Sequence, residues 1–176
     1  IDPLVGKAQS APASTTLMKF VPSPNTDGPR QETKGVVIHI TGSGKSNSLE
    51  QEYRATVGYF GQKGTASAHA VIGPSETTMM VPDDEVAWHA REHNDTHLGI
   101  EIAMPKSGGV FTEYQYRTVA QLVRQWSDKY GFTVEHVTST AQPGLIGHQE
   151  SEQGKREGKQ DPGPSFDWEK VVAMAK

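Results

Sequence analysis

Short β-branched runs alternate along this chain with longer stretches whose apolar residues fall three or four apart. That is the pattern of strands interleaved with helices. Residues 36–41, Val-Val-Ile-His-Ile-Thr, form a continuous run, as expected of a strand covered on both faces. Gly42, Ser43 and Gly44 end it. Ser48 and Gln51 have the spacing of a capping box, and the helix they open carries Tyr53, Val57 and Phe60 on one side before running out between Gly61 and Gly64. Residues 68–73 and 77–81 read as two strands joined by a Gly-Pro turn, and residues 82–97 as a polar loop. Residues 98–103 predict another strand, with Glu101 on the face opposite Ile100 and Ile102. Thr112 and Gln115 repeat the capping-box spacing. The stripe Tyr116, Val119, Ala120, Val123 and Trp126 follows, and Gly131 stops the helix. A short strand is expected at 134–137, a loop over 138–164 and a last helix over 168–175. The fold class this predicts is α/β, a single mixed β-sheet flanked by helices.

The first 34 residues differ from the rest. They hold five of the eleven prolines, among Ala, Ser, Thr and Gln, a composition that buries little. The expected organisation is an extended arm or linker over 1–21 and one domain over 22–176, with Met18 to Val21 the piece able to pack on the domain. The linker character of Ala8 to Thr16 raises the expectation that something precedes it.

Composition narrows the chemistry. At 176 residues the chain is long enough for one core. Its net charge of −4 argues against a nucleic-acid partner, and no run of about 18 apolar residues predicts a membrane span. The absence of cysteine removes disulfides, thiolate metal sites and thiol nucleophiles, so any metal must be held by His, Asp or Glu. It also suits a protein acting outside the bacterial cytoplasm or released by a phage.

Seven histidines remain as candidate ligands. His89, His93 and His97 are four residues apart, yet the segment lacks the HExxH order and any apolar stripe, so it reads as a polar loop with solvated side chains. His39 sits inside a buried strand, where it is either a satisfied core histidine or a functional one. His148 lies in a loop after Pro143 and Gly144, and His69 and His136 are ambiguous. Asp161, ahead of Pro162-Gly163-Pro164, is by itself consistent with turn chemistry.

Taken together the segments say more. The strand VVIHIT, the piece SAHAVIG, AWHA followed by Asn94, the strand LGIE, a GHQ loop and KxDPGPxFDW occur in that order over roughly residues 22–174. This resembles the type-2 N-acetylmuramoyl-L-alanine amidases, which include phage endolysins, anhydro-muropeptide amidases and, more distantly, peptidoglycan recognition proteins. The resemblance implies one zinc ion bound by His39, His148 and Asp161, with Glu101 as general base and Lys159 as the oxyanion partner. It implies that Trp88, His89 and Asn94 line the substrate groove, with His69 nearby in a supporting position. Some members carry a Tyr where this chain has Ala68, so that role is absent or supplied elsewhere. The implied activity is zinc-dependent hydrolysis of the bond between N-acetylmuramic acid and L-alanine, by a monomer acting on the bacterial cell wall, with peptidoglycan or a muropeptide as substrate. Two alternatives stand beside it: a peptidoglycan-binding module without catalysis, and a peptidase cutting within the stem peptide.

Overall fold

The computed structural model describes residues 18–42 and 48–176. Most of the expected arm, residues 1–17, and the turn at Ser43 and Gly44 lie outside the described residues. In chain order the elements are β1 (Met18–Phe20), β2 (Thr26–Pro29), β3 (Gly35–Ile40), α1 (Leu49–Phe60), β4 (Ala70–Ile72), β5 (Thr77–Met79), β6 (Glu85–Ala87), a 3-10 turn (Arg91–Asp95), β7 (His97–Ile102), α2 (Glu113–Tyr130), β8 (Gly144–Gly147), a 3-10 turn (His148–Glu150), α3 (Glu152–Glu157) and α4 (Trp168–Ala175).

Six strands form a mixed sheet in the order β1-β5-β4-β7-β3-β8. All neighbours are parallel except the β4–β5 hairpin. The fold class is as expected, α/β, but the described residues form two sheets rather than one. β2 and β6 make a separate antiparallel pair. The expected loop over 82–97 therefore contains a strand, a 3-10 turn and the first residue of β7. β6 is three residues long, too short for periodicity to reveal. Met18–Phe20, the part of the expected arm able to pack on the domain, pairs in parallel with Thr77–Met79. The expected 138–164 loop carries β8, which is bounded by glycines, and α3, which is only six residues long. The 134–137 expectation survives as one bridge, His136 to Leu145.

The helices form where their caps predict. The Ser48 side chain accepts from the Gln51 amide, and Thr112 and Gln115 make both bonds of a capping box. Gly131 ends α2 in the left-handed region, φ 82°, where a side chain would be strained.

Alternation along the central strands divides the sheet into two faces. Val36 and Ile38 of β3, with Leu98, Ile100 and Ile102 of β7, pack against Val119, Val123 and Trp126 of α2 and Val171 and Ala175 of α4. Each such fully buried aliphatic side chain contributes about 1.5–3 kcal/mol. The odd positions of the same strands point the other way. There α1 covers part of the sheet through Tyr53 and Phe60, which pack on Val71 and Ala103. Val37 meets Ala90, Val137 and Ile146 on that face. The rest of it is left for His39, Gly99 and Glu101.

Candidate metal centre

Parallel pairing with register His39 to Glu101 sets these two side chains side by side on the open face, each one residue before the end of its strand. β8 pairs with β3 from Gly35–Gly144 to Ile38–Gly147, so His148 leaves the sheet one step beyond the last pair, level with His39. Asp161 arrives from the loop after α3. That loop is tied down by the Gln149 amide donating to the Asp161 carbonyl at 2.8 Å and the Gly163 amide donating to Gln149 Oε1 at 3.2 Å. The peptide between Asp161 and Pro162 is cis. The three groups thus meet at the carboxyl ends of parallel strands, where open α/β sheets place their sites.

Among the described residues, His39, His148 and Asp161 are the one trio of potential metal ligands, their ligand atoms within 4.8 Å of one another. His39 Nδ1 is 3.1 Å from His148 Nδ1 and 3.2 Å from Asp161 Oδ2. His148 Nδ1 is 3.1 Å from both Asp161 oxygens. The far nitrogens are occupied. His39 Nε2 is 3.0 Å from His89 Nδ1, and His148 Nε2 is 2.8 Å from Gln153 Oε1. The Gln153 amide nitrogen donates to Glu157 Oε2 at 2.7 Å, which turns the amide oxygen towards His148. His148 therefore donates from Nε2 and presents a bare Nδ1. Two imidazole Nδ1 atoms and a carboxylate converge, an arrangement that a cation between them would satisfy. The donor set, neutral nitrogen plus carboxylate oxygen, fits a divalent cation.

The electrostatics agree. Burial first, and then the facing His148, lower the His39 pKa and keep that ring neutral. Burial alone would raise the Asp161 carboxyl, but the close approach of the His148 and His39 rings outweighs it and holds the group well below the usual carboxylate range. Glu101 behaves oppositely. Its burial, followed by the charges of Asp161 and Glu52, pushes its pKa well above 4.5, and the Lys159 charge pulls it part of the way back. Glu101 Oε2 lies 3.9 Å from His39 Nδ1. Lys159 is exposed and lines the same cleft of about 790 Å³ together with His39, Glu101, His148, Asp161 and Trp88.

The remaining expected site residues divide. Trp88 is half-buried and walls both this cleft and an adjoining groove of about 420 Å³. Asn94 lines that groove, but its Oδ1 accepts from the amides of His89 at 3.0 Å and Ala90 at 2.7 Å, so it shapes the loop. His89 reaches the cleft wall, yet both its nitrogens are engaged, Nδ1 by His39 and Nε2 by the His97 carbonyl at 3.0 Å. It lines the cleft, as expected of its position, and offers a substrate only its carbon edge. His69 is fully buried and lines neither cavity. Its Nδ1 accepts from the Gly99 amide at 3.0 Å and its Nε2 donates to the Glu85 carbonyl at 2.8 Å. It is a structural bridge between strands, not a groove residue. His93 and His97 are buried rather than solvated, His93 Nε2 accepting from the Gln153 amide. Gln153 and Gly99 bear on the site without a motif that marks them in the sequence. For Gln153 the available signal was Ser151, which caps α3.

These features place the chain among known proteins. The family described as N-acetylmuramoyl-L-alanine amidase, Amidase_2, matches residues 29–164. A probable N-acetylmuramoyl-L-alanine amidase of Bacillus licheniformis is 28% identical over 116 residues, 59% of this chain and 32% of that protein. The 1,6-anhydro-N-acetylmuramyl-L-alanine amidase AmpD of Salmonella typhimurium is 32% identical over 117 residues, 61% of this chain and 56% of that one. The chain therefore spans from about a third to little more than half of the length of these curated relatives. The crystal structure of a selenomethionine derivative of AmpD superposes with a TM-score of 0.65 at 25% identity, covering 90% of this chain and 94% of that one. With the family match spanning most of the domain, this chain belongs to the N-acetylmuramoyl-L-alanine amidase family, Amidase_2.

Proposed function

We propose that the chain hydrolyses the amide bond between the lactyl carbonyl of N-acetylmuramic acid and L-alanine in peptidoglycan, using one zinc ion held by His39, His148 and Asp161. One observation carries this reading: two imidazole Nδ1 atoms and a carboxylate converge within 3.1–3.2 Å, with Glu101 beside them on the open side. Four-coordinate zinc with bonds of about 2.0–2.1 Å has ligand-to-ligand edges of about 3.3–3.4 Å, close to these separations. Three protein ligands and one open position are the pattern of catalytic zinc rather than structural zinc.

Bound there, zinc supplies a Lewis acid for the scissile carbonyl and makes water acidic enough to attack near neutral pH. The protein does the rest. Glu101 takes the proton of the attacking water and returns it to the departing amine of L-alanine. Its buried carboxyl has a raised proton affinity, which suits a group that must accept and then release a proton. Lys159 lines the same cleft, and its ammonium stabilises the carbonyl oxygen as negative charge develops on it. Trp88 gives the wall an aromatic surface against which a sugar face can stack. In this reading the protein acts as a monomer. The site of action in this reading is the bacterial cell wall, outside the cytoplasm. No helix among the described residues is long and apolar enough to cross a membrane.

The test is digestion of purified peptidoglycan with and without a chelator, read by product mass. Glycan strands freed of peptide, with L-alanine as the new amino terminus, are expected, along with loss of activity on chelation and recovery with zinc. Cleavage inside the stem peptide, binding without cleavage, or full activity of metal-stripped protein overturns the reading.

A further inference from the structure

We propose that His89 is a positioning residue for the metal centre. It fixes His39 in the tautomer that presents Nδ1 to the cation, through a relay ending on the backbone carbonyl of His97. The proposal rests on the zinc reading above and names a residue whose task is neither ligation nor substrate contact.

The relay follows from donor and acceptor rules. The His97 carbonyl can only accept, so His89 Nε2, 3.0 Å away, must carry the hydrogen. A neutral His89 then has a bare Nδ1. The bare Nδ1 lies 3.0 Å from His39 Nε2 and accepts its hydrogen. His39 Nδ1 is left with its lone pair, aimed at His148 Nδ1 and Asp161. Outer partners of this kind orient metal-bound imidazoles and set their basicity. A carboxylate or a carbonyl is the common choice. Here a second neutral ring does the work, meeting the first edge-on at 85° with centroids 5.2 Å apart.

Three features hold His89 in that pose. Asn94 Oδ1 accepts from the backbone amides of His89 and Ala90, which fixes the start of the loop. The His97 carbonyl holds the far nitrogen. Gly99 leaves the room the ring occupies, since a Cβ at that position would lie 2.6 Å from His89 Cγ and Nδ1. Each is accounted for if the loop exists to aim one imidazole, and none is needed if His89 is an ordinary wall of the cleft.

The experiment measures zinc affinity by competition with a chromophoric chelator for the wild type, His89→Phe and His89→Gln. In parallel, nitrogen–nitrogen scalar coupling across the hydrogen bond is sought between His39 Nε2 and His89 Nδ1 in zinc-loaded wild type. The phenylalanine keeps a ring and removes the acceptor, so zinc should bind roughly 10- to 100-fold more weakly. The glutamine oxygen can accept from His39, and affinity should recover to within about fivefold of wild type. The coupling should be observed, and it decides the matter even if the phenylalanine variant does not fold. Wild type that binds zinc without the coupling, or a folded His89→Phe with unchanged affinity, overturns this proposal alone. Wild type that binds no zinc overturns the zinc reading as well.

Discussion

Gly99→Ala is the substitution whose effect the geometry determines most sharply. In a strand, alanine for glycine ordinarily adds about 0.5–1 kcal/mol by restricting the unfolded chain. Here the new Cβ would meet His89 Cγ and Nδ1 at 2.6 Å and Cδ2 at 2.8 Å. Restoring ordinary contact at 3.4 Å requires the ring to move about 0.8 Å. The ring is held at both nitrogens by 3.0 Å hydrogen bonds, so a shift of that size stretches them beyond useful length. Two hydrogen bonds at about 0.5–1.5 kcal/mol each, together with about 1–3 kcal/mol for overpacking, outweigh the backbone gain. The net loss is about 2–4 kcal/mol, a fall in Tm of roughly 5–12 °C for a domain of this size. The assay is thermal unfolding of chelated protein by circular dichroism, run beside Gly58→Ala. Gly58 is exposed within α1 and nothing lies within 4 Å of its built Cβ, so that variant should gain about 0.5–1 kcal/mol. A Gly99→Ala protein as stable as Gly58→Ala would refute the reasoning, because it would mean the His89 ring moves aside at no cost.

Three more outcomes are expected. Burial lowers His69 and His97 from 6.5 to about 4, so the unfolded chain binds protons more readily than the folded one. The stability these two residues provide is therefore complete above about pH 6.5 and is lost as pH falls towards about 4, by about 3 kcal/mol each; urea unfolding at a series of pH values should show it, with a shallower slope in His69→Gln. Glu101→Gln should lower kcat by about 10²- to 10⁴-fold while zinc content, read by atomic absorption, stays at one per chain, whereas loss of zinc would make Glu101 a ligand instead. Lys159→Ala should lower kcat about 10²-fold with little change in Tm, since the side chain is exposed and the backbone amide still donates to the Gly154 carbonyl; an unchanged kcat removes Lys159 from the reaction.

Much of this was legible before any coordinate was known, and the exceptions have physical causes. The β3 run reads as a strand because burial on both faces demands uninterrupted apolar residues, and the same burial makes His39 stand out. Both long helices carry side-chain caps that a sequence displays openly. β6 and β8 are three and four residues long, and β8 is Leu-Ile between two glycines, so no period can develop. Pairing partners are nonlocal: nothing in VVIHIT or LGIE states that His39 stands opposite Glu101. The histidines show the limit best. The sequence resembles a family in ways that imply which of them bind metal, but not that His69 bridges two strands or that His97 contributes its carbonyl rather than its ring. Those tasks depend on which ring nitrogen meets which neighbour, a property of three-dimensional arrangement alone.

The two faces of the central strands have a consequence for how this protein can change. Even positions of β3 and β7 answer to the helices behind the sheet, and the odd positions next to their carboxyl ends, His39 and Glu101, answer to the cleft in front. A point substitution reaches only one of these audiences, so thermal tolerance and catalytic rate can drift independently: an altered Ile38 or Ile100 leaves the ligand set alone, and an altered Glu101 leaves the core alone. An insertion or deletion of a single residue inside β3 has no such privacy. It turns every later side chain over, sending His39 into the hydrocarbon interior and Ile38 or Ile40 into the cleft. Homologous chains should therefore vary far less in the number of residues between Gly35 and Ile40 than in which apolar residue fills each position on the helix-covered face.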